Sequence, residues 1–131
     1  IYDGTNFFKT MKNIPVEKIL EPPVAEAMQM GMSLGAALNG SRVITCYPRW
    51  DFLILATSEL VNHVNRIKEY SNDEFSPSLI IRTAVGSREP LDPQSQHRNN
   101  YSSPFRTMCN NIEIIELEEP PQIFDIYKKA Y

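Results

Sequence analysis

The chain has 131 residues, 42% of them hydrophobic and 22% charged, the make-up of one soluble globular domain with a single hydrophobic core. Its net charge is −3 and its basic residues are scattered, so nothing favours nucleic acid or an anionic membrane as partner. No apolar run approaches the roughly 20 residues that span a bilayer. The opening Ile1-Tyr-Asp-Gly4 has neither an initiator Met nor the basic start and apolar segment of a secretory signal. Cys46 and Cys109 are far apart and form no CxxC pair, so they read as reduced thiols of a cytosolic-type protein.

In chain order, residues 1–16 read as a short helix or an irregular arm, anchored by Phe7 and Phe8. Residues 16–21 form a short apolar run that predicts a strand ending at Pro22-Pro23. Residues 24–38 have helical spacing, with proline suited to the first turn and Asn39-Gly40 as the stop. Residues 42–47 (RVITCY) predict a strand buried on both faces. Asp51 is an N-cap candidate for a long helix through Tyr70. A polar turn at residues 71–74 and a third strand at residues 79–83 follow. Residues 84–100 are a long polar, proline-bearing stretch, and such loops are usually functional or mobile. A short helix over residues 103–108, a fourth strand over 112–117 and a helix opened by Pro120-Pro121 complete the chain.

Strands alternating with helices predict an α/β fold, a three-layer sandwich in which a mostly parallel sheet is flanked by helices. Ligands of such sheets sit outside the carboxyl ends of the strands. Glu26, the Trp50–Phe52 corner and the 84–100 loop all follow strand ends, so they are expected on one edge of the sheet.

Each candidate also has a plainer explanation. Glu26 in a first helical turn is favoured by the helix dipole alone, or it is a carboxylate that shares a proton with a ligand nitrogen. Trp50 and Phe52 are core residues or a ligand platform, and Asp51 is most simply a cap. His63, in mid-helix, reads as a surface or interface residue. His97 lies in the long loop between Gln96 and Arg98, where a rigid scaffold can position a histidine for catalysis. Met28, Met30 and Met32 fill a core or an interface. No phosphate-cradling glycine loop and no metal-ligand spacing stand out, so no metal ligand is assigned.

Taken together, these segments resemble a known family. Glu21-Pro-Pro-Val-Ala-Glu-Ala-Met-Gln-Met-Gly31 is similar to the T-P-x-x-E-x-x-x-x-G segment of the transketolase class of thiamine-diphosphate enzymes. Tyr47-Pro-Arg-Trp-Asp-Phe52, followed by Glu59-Leu-Val-Asn62, resembles the F-x-D-Y/F…Q-I-V-N segment of one branch. That branch is the beta subunit of the first component of 2-oxo-acid dehydrogenase complexes. Leu79-Ile-Ile-Arg82 matches its L-x-I-R strand, and Gln96-His97 its Q/Y-H-S-Q segment. The match runs from about Lys18 to the end of the chain.

The resemblance implies that residues 1–131 are a pyrimidine-binding domain, a fragment of a longer subunit, with thiamine diphosphate as cofactor. Glu26 would hydrogen-bond the aminopyrimidine nitrogen and so activate the cofactor, Phe52 would pack on the pyrimidine ring, and His97 would assist near the reactive carbon. Two segments depart from the pattern: His97-Arg98-Asn99 replaces H-S-Q, and residues 87–93 carry charge and proline where glycine is usual. The G-D-G…N motif that holds magnesium and the diphosphate is absent from these 131 residues. A diphosphate-binding alpha-type subunit would supply it, in an assembly with homologous copies (a dimer or heterotetramer), and a lipoyl acyltransferase is a further expected partner. The expected setting is the cytoplasm, or the mitochondrial matrix in a eukaryote. Alternatives are a transketolase-like or synthase enzyme acting on another donor, and a non-catalytic assembly module that keeps the fold.

Overall fold

The structure, a computed structural model, describes residues 6–89 and 92–131, with side chains from residue 9 onward. Two strands form its sheet, β1 (Val43–Cys46) and β2 (Leu79–Arg82). They are parallel, in the register Val43–Leu79, Ile44–Ile80, Thr45–Ile81 and Cys46–Arg82. A parallel pair needs a long crossover, which here is the helical run of residues 50–70.

Helices cover both faces, as the alternation predicts. Helix α2 (Glu26–Leu38) lies on the Thr45 face, where Gln29 Nε2 donates to Thr45 Oγ1 (2.9 Å) and to the Cys46 carbonyl (3.0 Å). On the opposite face Arg82 donates to Thr10 of α1 (Asn6–Met11) at 2.7 Å. Helix α6 (Pro120–Ala130) lies on that face too: Arg42 stands 4.9 Å from the Tyr131 ring, just past its end. The cover there is thinner. Ile44 is 46% exposed, so β1 is not buried on both faces as its all-apolar sequence predicts.

The core gathers between α2 and the crossover: Met30, Tyr47, Trp50, Leu53, Ala56, Leu60, Phe105 and Cys109. Trp50 stacks on Phe105 of α5 (Ser102–Met108) with ring centroids 5.2 Å apart, which makes Trp50 a core residue. The stop at residues 39–40 is as expected, with Gly40 at φ 88°. Asn72 and Asp73 take left-handed backbone in the polar turn. Helix α6 opens on its two prolines with a capping box between Glu119 and Gln122.

Further expectations need correction. Pro22-Pro23 precede α2 and do not lie in its first turn, because the helix starts at Glu26. Residues 16–21 form no strand: Val16–Lys18 is a single 3-10 turn closed by Lys18 N–H to the Pro15 carbonyl, and Val16 is 80% exposed and pairs with no strand among the described residues. Residues 112–117 pair with no strand among the described residues, since the Ile114 carbonyl accepts instead from the Arg106 guanidinium (3.2 Å). The same guanidinium holds Glu116 at 2.8 Å.

The helix of residues 50–70 is also not uniform. Helix α3 (Trp50–Leu53) passes through a 3-10 turn (Ile54–Ala56) and a π turn (Glu59–Val64) to α4 (Ile67–Tyr70). The wide turn closes where Asn65 N–H reaches back five residues to the Leu60 carbonyl. Asn65, 1% exposed, is fixed from outside the helix: its Oδ1 accepts from Asn111 N–H (2.9 Å) and its carbonyl from Asn111 Nδ2 (2.9 Å). Satisfying that buried amide takes precedence over regular helix geometry. The arm anchor assigned to Phe7 and Phe8 lies outside the described side chains.

Candidate functional site

The carboxyl ends of β1 and β2 organise the site. Past Cys46 the chain turns through Tyr47, whose N–H donates to the Arg82 carbonyl (2.8 Å), and Trp50 N–H donates to the Ala84 carbonyl (3.1 Å). The two strand ends therefore stay paired as they leave the sheet. This is the edge at which topology places ligands.

Glu26 stands in the first turn of α2, half-buried, and its own backbone carbonyl accepts from the Tyr47 hydroxyl at 3.1 Å. That bond seats the helix start at the end of β1. Tyr47 is 1% exposed, and its phenol is pushed up to about 12, by burial first and then by the Glu26 and Glu59 carboxylates, against a lowering hydrogen bond with Thr45. The phenol therefore stays a neutral donor across the physiological range. The Glu26 carboxylate itself accepts no hydrogen bond from the described residues.

Phe52 and His97 come together. Phe52 lies in α3 and His97 in a 3-10 turn (Ser95–His97) of the long loop, with ring centroids 5.3 Å apart and planes 30° apart. Forty-five positions separate them in sequence, so the loop folds back onto the helix start. Arg49 Nη1 donates to the His97 carbonyl (3.2 Å), and Asn99 Nδ2 donates to Asp51 Oδ1 (2.5 Å). Asp51 is accordingly no N-cap: the cap position is Arg49, which makes no side-chain cap bond, and the Asp51 carboxylate faces the loop. Gly86 is required there for space, because a Cβ would run into the His97 carbonyl and the Arg49 guanidinium.

Two atoms of this corner are buried without a partner, Asp51 Oδ2 and His97 Nδ1; Thr83 Oγ1, just past β2, is a third. A buried polar atom left unpaired costs about 1–3 kcal/mol, so such atoms mark places where a further group can bind. Beside them a polar cleft of about 370 Å³ is lined by Gly86, Arg88, Ser95, Arg98 and Asn99. Arg98 is held by Asp92 at 3.3 Å. The larger cavity, about 890 Å³, lies elsewhere, along β2 and residues 112–118, and contains none of Glu26, Phe52 or His97. It is lined by residues of β2 together with residues 112–118 and the start of the crossover.

The structure thus joins Phe52 to His97 and seats Glu26 at the same strand end through Tyr47. Sequence reasoning missed Tyr47, Arg49, Gly86 and Asn99. The lone Gly86 in a polar loop was a signal of close approach; the other three lay within segments the sequence singled out, but nothing there marked their contacts.

No family model matches the chain. Several curated proteins are nonetheless similar to it. The chain is 31% identical over 113 residues to Pyruvate dehydrogenase E1 component subunit beta of Gracilaria tenuistipitata var. liui, covering 86% of this chain and 34% of that protein. It is 31% identical over 113 residues to the protein of the same name from Porphyra purpurea, covering 86% and 33%. Against 2-oxoisovalerate dehydrogenase subunit beta of Bacillus subtilis (strain 168) the identity is 29% over 70 residues, covering 53% and 21%. The chain is therefore related to the beta-type subunits of 2-oxo-acid dehydrogenases, in a pyrimidine-domain-like region. It spans about a third of the length of the curated pyruvate dehydrogenase relatives it matches.

Proposed function

We propose that this chain is the pyrimidine-binding half of a beta-type subunit of a thiamine-diphosphate-dependent 2-oxo-acid dehydrogenase. The observation that supports the proposal is the packing of Phe52 against His97 where β1 and β2 end, with the start of the Glu26 helix tied to the same strand end through Tyr47, in a chain similar to those subunits.

The residues fit half of such a cofactor site. An aminopyrimidine needs an acid for its ring nitrogen and an apolar surface for its plane. Glu26 offers a carboxylate unbonded by the described residues, and Phe52 a half-buried aromatic face. Phe keeps a stacking surface without adding a hydroxyl that needs its own partner. Among the described residues no group of acids, histidines and cysteines could hold the magnesium, which a diphosphate-binding alpha-type partner chain would hold together with the diphosphate. When bound, thiamine diphosphate supplies the carbon nucleophile that adds to a 2-oxo acid.

Within that assembly Glu26 holds and shares a proton at the ring nitrogen. Tyr47 fixes the turn that presents it. His97, its ring against Phe52 and its Nδ1 without a protein partner, is placed to donate to or accept from substrate. The acyl product passes to a lipoyl carrier.

Glu26→Gln in the full assembly tests this. The amide keeps shape and hydrogen bonding but cannot carry the proton, so turnover of 2-oxo acids is expected to fall by roughly a hundredfold or more with cofactor binding retained. Turnover within a few-fold of the parent removes Glu26 from the chemistry.

A further inference from the structure

The departure at His97-Arg98-Asn99 has a structural counterpart on the first turn of α3. Asn99 donates to Asp51 at 2.5 Å, and Arg49 donates to the His97 carbonyl at 3.2 Å. Both acceptors and donors on the helix side lie within four residues of Phe52, and both on the loop side within two residues of His97. A second tie runs within the loop, where Asn99 Nδ2 also meets the Ser95 carbonyl at 3.3 Å and so closes the turn that carries the histidine. Gly86 lets the turn press against Arg49, since any side chain there would meet the same carbonyl and guanidinium.

We propose that Asp51 and Arg49 are positioning residues, which clamp the 95–99 turn through Asn99 and the His97 carbonyl so that the His97 imidazole is held against Phe52 at the strand edge. The proposal rests on the assignment of His97 to the site made above. Asp51 looks like a helix-start acid, yet its bonded oxygen faces the loop and not the helix N–H groups. Its other oxygen and His97 Nδ1 are the two buried unpartnered atoms of this corner. The clamp therefore leaves an acceptor on the helix side and a ring nitrogen on the loop side, each with capacity for one further bond. Hydrogen bonds at two points fix position and orientation of the turn, which one bond cannot do. Misplacing a reacting group by about 1 Å can lower turnover up to roughly a hundredfold, so the clamp has consequences for rate as well as for order.

The test uses the full chain and its two histidines as internal probe and control. Diethyl pyrocarbonate modification, followed residue by residue by peptide mass spectrometry, reads the exposure of His97 and His63 separately. Asp51→Ala and Arg49→Ala are each expected to raise the His97 rate several-fold and leave the His63 rate unchanged, with Asp51→Glu restoring part of the protection. An unchanged His97 rate overturns the proposal, and so does an equal rise at both histidines, which reports general loosening. In the assembly with its partner chain, Asp51→Ala should lower kcat more than it raises the KM for the cofactor. Adding it to His97→Ala should cost nothing further, because both act through one group. Multiplicative losses overturn the positioning role. If His97→Ala leaves turnover intact while Asp51→Ala still exposes His97, the clamp stands and the catalytic assignment of His97 fails.

Discussion

The two sides of β2 are finished in different ways. At its carboxyl end the chain is tied by short polar contacts: Tyr47 to the Glu26 and Arg82 carbonyls, Arg49 to His97, and Asn99 to Asp51. Along its outer side, residues 112–117 run past without a ladder, held by Arg106 and Asn100 through exposed side chains, and leave an apolar cleft of about 890 Å³. The first region is tied by hydrogen bonds between particular groups, with Asp51 Oδ2 and His97 Nδ1 left without partners. The second has apolar residues, Ile115 and Leu117 among them, that remain 43% and 38% exposed. Apolar pattern alone supplies no register, whereas hydrogen bonds between named groups do.

Substitutions should separate the two regions, beginning with the largest effect. Trp50→Ala removes an aromatic buried against Phe105 and is expected to cost about 3–5 kcal/mol in urea denaturation. Phe52→Ala, two residues on but half-buried, should cost roughly 1 kcal/mol while weakening ligand binding. Equal losses at the two positions would make Phe52 a core residue like its neighbour.

Asn65→Ala should cost about 1–3 kcal/mol by leaving the Asn111 N–H without its acceptor. Amide exchange in residues 109–112 should quicken with it.

Tyr47→Phe should cost about 0.5–1.5 kcal/mol. It should also abolish an alkaline dependence. The folded phenol lies at about 12 and the reference value is 10.0, so the unfolded chain loses its proton first. The parent therefore keeps its full Tyr47 contribution below pH 10 and loses it as pH rises through 12. A variant with the same slope as the parent between those limits would assign the titration to another group.

The smallest effect belongs to the outer side. Arg106→Ala breaks an exposed pair with Glu116, should change stability least of these variants, and should raise amide exchange mainly in residues 112–117. A larger loss would show that this segment is as firmly specified as the carboxyl-edge corner.

These contrasts mirror what the sequence made legible. The parallel pair, the helices on either face, the Gly40 stop and the proline-opened α6 follow from local pattern and turn chemistry. The strand expected at residues 112–117 does not form among the described residues, because alternating isoleucines signal propensity but not a partner. The π turn was invisible because it depends on Asn111, 46 positions from Asn65. At the candidate site, Phe52 and His97 do follow the ends of β1 and β2 and meet there, whereas the strand expected before Glu26 does not form. The supports of that meeting were not legible: Asn99 to Asp51 and Arg49 to His97 each span 48 positions. Asp51 itself was misread as a cap, since residue type and place fit that role and only the fold shows where its carboxylate points.

Calorimetric titration of thiamine diphosphate with magnesium, into the chain alone and into the chain with a diphosphate-binding partner, tests the half-site account most directly. Saturable binding is expected only with the partner present, and weakened by Phe52→Ala. Equal binding by the chain alone, or none with the partner, would contradict it.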